Sequence, residues 1–421
     1  MMNVRIKPGR LKGEVIIPPS KSLAHRAIIA ASLANGISKI TNIAYSEDIK
    51  ATIEGMKALG ANIECYSDYL LIKGSNVERI KNVIDANESG STLRFLIPIA
   101  LINKEEITFV GHNRLLNRPL DVYYDLFEKK GIAYSHPKDA YLPLKLKGSL
   151  KPGIYEVPGN VSSQFITGLL YTLPLLNGDS KIIITTKLES KGYIDLTVDI
   201  LRRFGITIDV FEEEIDIKGN QNFKPCDYQV EGDFSQSAFF FLANMLGNDI
   251  ILKGMNLASF QGDKKIISDI SDFGGVIKHE AEGLKALPIN LHSANISFAQ
   301  SPDLGPALTV LASTIRNERS HFYDASRLRI KECDRISAMK EEVERLGGHI
   351  EEFPDGMDIY GSSLHGGVVS SHNDHRVVMA LAMLSTVVSE DLVIEGAEAV
   401  NKSYPNFFEV LASLGGVISY E

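Results

Sequence analysis

The sequence predicts an α/β (α+β) chain of two similar domains, each built from three repeat units, and three observations lead there. The chain is 421 residues long, whereas a single hydrophobic core stops growing at roughly 250 to 300 residues. A phrase of amphipathic helix, glycine and strand recurs six times, as MKALGANI, FEKKGIAY, LRRFGITI, ISDFGGVI, VERLGGHI and LASLGGVI. Its glycines, Gly60, Gly131, Gly205, Gly274, Gly347 and Gly415, stand 68 to 74 residues apart. A second phrase, a polar cluster leading an apolar helix, keeps the same rhythm: its markers Ser22, Ser91, Ser163, Ser235, Asp303 and Asp374 stand 68 to 72 residues apart. Two unrelated features with one period define a repeat.

Each unit opens on its polar cluster, because Ser, Thr, Asp and Asn cap the orphan N–H groups of a helix start. In the first unit SKSLAHRAIIAASLA is the opening helix, ISKITNI a strand, MKALG the end of the second helix and YLLIKG a further strand. The next five units open on ESGSTLRFLIPIAL, VSSQFITGLLYTL, DFSQSAFFFLANML, SPDLGPALTVLAS and NDHRVVMALAMLST. Opening helices this apolar on every side must be enclosed by other elements. Three units around their buried helices therefore make one domain, and six make two. Each second helix closes on its glycine, whose left-handed conformation lets the chain reverse into the following strand. The period is too long for tetratricopeptide, ankyrin or leucine-rich repeats, which run from roughly 20 to 47 residues.

A composition of 44% hydrophobic and 23% charged residues is that of a soluble globular protein, and the formal net charge of −9 argues against nucleic-acid binding. Cys65, Cys226 and Cys333 are scattered and odd in number, which points away from a disulfide framework or a zinc site and towards a reducing compartment. The N-terminal residues lack the apolar run of a signal peptide, and the longest apolar stretches fall short of the ~18 to 20 residues that cross a bilayer. There is no GxxxxGK[ST], HExxH or GxSxG.

Several helix starts carry polar residues that capping does not need: Lys21 and Arg26, Arg94, Gln164, and His375 with Arg376. Basic residues also stand in RLRIKECDR (327 to 335), in NRPLD with Arg118 and in NKSYP with Lys402. Helix N-termini are ready anion sites, so the pattern points to a pocket for one or two small, highly charged anions. Bland readings stand beside it. Arg26 and Arg94 could be helix residues paired with carboxylates. Lys331 and Arg335 could form an exposed ion-pair network with Glu332 and Asp334, worth little. His375 could simply neighbour a cap. Cys333 has no His partner that the sequence suggests for a nucleophile.

In the same order along the chain, from residue 18 to 409, PPSKSLAHRA, ESGSTLRF, NRPLD, VSSQF, ESKGYID, EGDFSQSA, RIKECDR, NDHR and NKSYPNFFE resemble the 5-enolpyruvylshikimate-3-phosphate synthase family. The resemblance implies two domains of three βαβαββ units around buried parallel helices, with the active site in the interdomain cleft. It implies a first strand that joins the C-terminal half, hence domains of residues 20–231 and of 1–19 plus 232–421, with crossovers near 19–20 and 231–233. The implied activity is transfer of the enolpyruvyl group of phosphoenolpyruvate to the 5-hydroxyl of shikimate 3-phosphate, with release of phosphate. That reaction belongs to the shikimate pathway to chorismate and the aromatic amino acids. No metal or organic cofactor, nucleic acid or membrane is implied as a partner. A cytoplasmic monomer, inhibited by glyphosate, is expected.

Matched position by position, the family's motifs imply that Lys21, Ser22, Arg26, Ser162, Ser163, Ser190 and Tyr193, with Asp303 and Lys331, bind shikimate 3-phosphate. Lys21, Gly90, Arg118, Gln164, Arg335, Arg376 and Lys402 match the phosphoenolpyruvate site. The implied catalytic residues are Asp303 as base, Glu332 as acid, and Lys21. Glu88 replaces the family's common Asn, and FYDASRLRIKECDR differs in length from the NWRVKETDR form, so that Asn contact is not assigned to Arg327. The sister transferase acting on UDP-N-acetylglucosamine has a Lys-Asn pair where this chain has Lys21 and Ser22, and a reactive Cys in a loop where no cysteine lies near Arg118 here.

Overall fold

The computed structural model describes residues 2–75, 77–280 and 282–421. The six runs read as buried opening helices are helices: Lys21–Leu33, Gly90–Ala100, Ser163–Thr172, Phe234–Met245, Gly305–Thr314 and His375–Leu384. Every residue of Phe234–Met245 and of His375–Leu384 is buried. The second helices are amphipathic. In Lys191–Arg203, Ile194, Val198 and Leu201 face inward, while Lys191–Asp195 and Arg203–Asp199 pair at one-turn spacing on the outside, each at 2.8 Å. All six phrase glycines have positive φ, from 67° to 104°, as reversal out of a helix requires.

Three of the caps lie one or two residues before the sequence markers, and the marker Asp374 is itself a cap. Ser89, Ser162, Asp233 and Asp374 accept from N–H groups of the first turn, so Ser91, Ser163 and Ser235 lie inside their helices. Ser22 likewise follows the helix start at Lys21. Asp303 departs from the pattern: it sits in a 3-10 turn, Pro302–Leu304, and the helix at Gly305 starts without a side-chain cap.

Each repeat closes into a four-stranded sheet, six in all among the described residues. In one, Val83–Asp85 runs parallel to Ile107–Val110, which pairs antiparallel with Leu144–Lys147, itself antiparallel to Ala133–Ser135. A parallel pair needs a crossover, and here the helix Gly90–Ala100 supplies it; Asp121–Lys130 precedes the closing hairpin, giving βαβαββ. Pro98 near the end of Gly90–Ala100 cannot donate to the Arg94 carbonyl, and the Tyr123 hydroxyl donates to it instead at 2.6 Å. A Cβ at Gly168 would come within 2.5 Å of both that carbonyl and that hydroxyl, so only glycine allows this approach.

Two compact units result, Lys21–Val230 and the residues up to Ser20 with Glu231–Glu421. Each has its own hydrophobic core. The first strand, Val4–Lys7, lies between Leu392–Glu395 and Val417–Tyr420, which places the N-terminal residues in the second unit. The two crossing segments touch: the Ser20 N–H donates to the Glu231 carbonyl at 2.7 Å, and Pro19 bridges Gly232. No helix among the described residues is long and apolar enough to cross a membrane.

Candidate active site

In the Lys21–Val230 unit, hydrogen bonds hold several helix starts side by side. Lys21, the first residue of its helix, pairs at 2.7 Å with Asp48, in the first turn of Glu47–Ala58. One turn on, His25 Nδ1 bonds Thr52 Oγ1, and Thr52 Oγ1 bonds Thr92 Oγ1, each at 2.7 Å. Burial, then the charges of Lys21 and Arg26, hold the His25 imidazole well below its ordinary pKa, so it is neutral. Gln164 Nε2 donates to Ser91 Oγ at 3.0 Å, and Arg94 Nη1 donates to Gln164 Oε1 at 2.7 Å. Positive helix ends and cations are thus gathered at one place, which favours anions.

Arg26 is buried, and its guanidinium is held by neutral acceptors: Thr197 Oγ1 at 2.8 Å, the Ser22 carbonyl at 2.8 Å and the Tyr193 carbonyl at 3.1 Å. It also lies over the rings of Phe95 and Tyr193, 5.2 and 5.8 Å from their centroids. The reading of Arg26 as a carboxylate-paired helix residue therefore fails. Ser162 and Ser163 at one helix start and Ser190 at another are brought near each other, because the Glu189 N–H donates to the Gly159 carbonyl at 3.0 Å. Ser190 has φ 55° and its carbonyl accepts from the Tyr193 N–H at 3.0 Å. Gly90 abuts Arg118 so closely that a Cβ there would stand 2.5 Å from Nη1. Glu88 accepts from Asn113 Nδ2 at 3.0 Å.

In the second unit the centre is Arg335, first residue of the helix Arg335–Arg345 and only 1% exposed at its side chain. Its Nη1 donates to Asp303 Oδ1 and its Nη2 to Glu332 Oε2, both at 2.8 Å, while Nε donates to Asp374 Oδ2 at 2.7 Å. The reading of Lys331 and Arg335 as an exposed network is thereby corrected. Asp334, next to Arg335 in sequence, caps its own helix and pairs instead with Arg329. Lys331 Nζ lies 3.2 Å from Asp303 Oδ1, and Arg376 Nη2 3.1 Å from Asp303 Oδ2. Lys402, at the end of a 3-10 turn, donates from Nζ to the Asn373 carbonyl at 2.6 Å.

Burial pushes Asp303 up, but Arg376, Lys331 and Arg335 outweigh it and hold the carboxyl well below the usual carboxylate range. Burial lowers Lys331, partly offset by Asp303. Cys333 is a buried thiol pushed up by burial and then by Asp374, which leaves it without thiolate character. Three carboxylates had not been singled out as site members by sequence reasoning. Asp48 and Asp263 carry no motif signal. Asp374 entered only as a helix marker, although it both caps its helix and holds Arg335. Asp263 accepts from the Ser235 hydroxyl, and burial, then the charge of Asp303, push it up to about 6. One unit thus offers a cationic anion site, the other an ionised carboxylate among cations beside a second carboxyl.

Two solved structures share this architecture. EPSP synthase from Acinetobacter baumannii superposes with a TM-score of 0.82 at 24% identity over 100% of both chains. The enolpyruvyl transferase NikO from Streptomyces tendae superposes with a TM-score of 0.81 at 16% identity, covering 100% of this chain and 98% of that one. These two likenesses establish the fold, two groups of three repeats. A model of the EPSP synthase (3-phosphoshikimate 1-carboxyvinyltransferase) family matches residues 6–411. The 3-phosphoshikimate 1-carboxyvinyltransferase of Clostridium perfringens (strain ATCC 13124) is 50% identical over 426 residues, 100% of both chains. That of Clostridium novyi (strain NT) is 49% identical over 431 residues, covering 99% of this chain and 98% of the relative. The chain belongs to the EPSP synthase family. It is an enzyme of the shikimate pathway that transfers the enolpyruvyl group of phosphoenolpyruvate to shikimate 3-phosphate.

Proposed function

We propose that this transfer proceeds by addition and elimination through a tetrahedral ketal, with residues of both units acting on the same two substrates. The observation that carries the proposal is the Arg335 guanidinium, which holds Asp303 and Glu332 at 2.8 Å on its two terminal nitrogens. Two carboxyl groups of opposite duty need different environments, and Asp303, ionised among three cations, suits the base. It takes the proton of the 5-hydroxyl as that oxygen bonds to C2 of phosphoenolpyruvate, while Glu332 protonates the methylene carbon. In elimination Glu332 takes a proton back from the resulting methyl group, the double bond re-forms, the C2–O bond to phosphate breaks, and the proton on Asp303 passes to the phosphate that leaves.

Lys21, Ser22, Arg26, Ser162, Ser163, Ser190 and Tyr193 hold shikimate 3-phosphate, with Lys331 beside Asp303. Lys21, Gly90, Arg118, Gln164, Arg335, Arg376 and Lys402 hold phosphoenolpyruvate. Each substrate carries a phosphate of about −1.5 to −2 charge besides a carboxylate, and Arg suits bidentate recognition of both groups. Arg335 serves first to hold the carboxyl pair. On the resemblance, the two units are the family's two domains, and the working form is a cytoplasmic monomer.

The test is phosphate release from phosphoenolpyruvate by purified protein, offered shikimate 3-phosphate or UDP-N-acetylglucosamine in turn. Release with the former alone is expected, and its absence would overturn the reading. Gly90→Ala supplies a second check. Its Cβ would meet Arg118 Nη1 at 2.5 Å and Cζ at 2.7 Å, so the guanidinium must shift. The KM for phosphoenolpyruvate should rise about tenfold, as misplacement of a positioning group does, with kcat changed less. Glyphosate should inhibit the wild type more strongly than this variant; equal inhibition constants would count against that expectation.

A further inference from the structure

His372 has no part in the roles given so far, yet it lies beside them. Residues 370–374 lead from the strand Gly367–Ser370 into the helix His375–Leu384. Within them His372 and Asn373 have φ of 48° and 54°. Two successive non-glycine residues in the left-handed region persist only where the surroundings over-determine them. Here the surroundings do so. His372 Nε2 bonds Glu342 Oε1 at 2.6 Å, and Glu342 Oε2 accepts from the Ser370 N–H at 3.0 Å. The His372 N–H donates to Ser370 Oγ at 3.2 Å, and the Asn373 N–H to Ser371 Oγ at 3.1 Å.

Glu342 is wholly buried and belongs to the helix that begins at Arg335. On the other side of the loop, the Asn373 carbonyl accepts from Lys402 at 2.6 Å, and Asp374 accepts from Arg335 Nε at 2.7 Å and from the Arg376 N–H at 2.8 Å. We propose that the His372–Glu342 pair is a clamp that positions Lys402, Asp374 and Arg376, making His372 a positioning residue for phosphoenolpyruvate binding. The inference rests on the assignment of Lys402 and Arg376 to that substrate.

Among the described residues, the charged groups that act on His372 are Glu342, Glu341 at 3.8 Å, and Arg345, from the helix Arg335–Arg345. Glu341, Glu342 and His372 bring ligand atoms within 4.8 Å of one another, as a metal site would. Arg345, 2.5 Å from Glu341 and 3.6 Å from Glu342, already supplies a cation there, which favours the clamp. The hydrogen bond to Glu342 raises the pKa of His372, against the effect of burial. A raised folded-state pKa means that the charged clamp is complete at low pH and weakens as pH rises through that value.

The experiment measures KM for both substrates across pH in the full-length wild type, His372→Ala and His372→Gln. His372→Ala should raise the KM for phosphoenolpyruvate about tenfold, leaving that for shikimate 3-phosphate within about twofold. The wild type should show an alkaline rise in the phosphoenolpyruvate KM that His372→Gln, a neutral donor, lacks. Where His372→Ala does not fold, the pH profile of His372→Gln carries the test. An unchanged KM in the variants that fold together with an unaltered pH profile, or a parallel rise in both KM values with a fall in Tm, would overturn the clamp. Lys402→Ala is measured alongside. An unchanged phosphoenolpyruvate KM in that variant would overturn the reading beneath the clamp; a raised one beside unaffected His372 variants would overturn the clamp alone.

Discussion

Asp303→Ala is expected to lower kcat about 10³-fold, within the 10² to 10⁴ that a positioned acid or base typically supplies. Asp303 lies in the short turn before Gly305–Thr314, the opening helix that starts without a side-chain cap, so its carboxylate is turned to cations rather than to helix N–H groups. Burial alone would favour the neutral acid, but Arg376, Lys331 and Arg335 keep the group ionised and ready to accept a proton. Substrate anions that draw these cations to themselves would raise its basicity at the moment of reaction. Asp303→Asn separates the two roles of the group, because the amide oxygen can still accept from Arg335 while the base is gone. Both variants should show the same loss of kcat in phosphate release at saturating substrates, with circular dichroism unchanged. Turnover within about tenfold of the wild type in the Asn variant would refute the role of base.

Arg335→Met is expected to destabilise its unit by about 3–5 kcal/mol, the usual effect of removing one partner from a buried charge cluster. Methionine keeps the apolar stem and removes the guanidinium, so Asp303, Glu332 and Asp374 lose the donor that all three share. Asp374 shows the balance, since burial raises its pKa but Arg335 outweighs burial and lowers it. Asp303 and Asp374 both have depressed pKa values in the folded protein, so their stabilising contribution is present above the unfolded value and is lost as pH falls. The stability gap between wild type and variant, measured by denaturant unfolding, should therefore narrow as pH is lowered below about 4. A gap independent of pH would show that the carboxylates are not what Arg335 stabilises.

Much of the fold was legible because its signals are local. The glycine that ends each second helix has to be left-handed, and all six are. The opening helices are apolar on every side, and the structure encloses them. Of the candidate site, the cations at Lys21, Arg26 and Arg376 drew notice because helix starts have no structural need of them, and Arg335 because it closes the basic segment RLRIKECDR. Their partners were not. Lys21 meets Asp48 from a second helix, and Arg26 meets Tyr193 and Thr197, some 170 residues away. The left-handed pair His372 and Asn373 carries no glycine to mark it.

By itself, then, the sequence determined six repeats in two groups, and helix starts furnished for small anions. Periodicity, caps and reversing glycines act within a few residues, so a linear reading reaches them. Only the tertiary structure decided which charges meet. The nearest carboxylates to Arg335 along the chain are Asp334 and Glu332, yet Asp334 turns away to cap its helix and pair with Arg329, while Asp303 and Asp374 arrive from the segments just before two opening helices, 32 and 39 residues distant. A buried guanidinium takes its partners by distance through a poorly screening interior, and that distance is set by how three repeats pack around their helices.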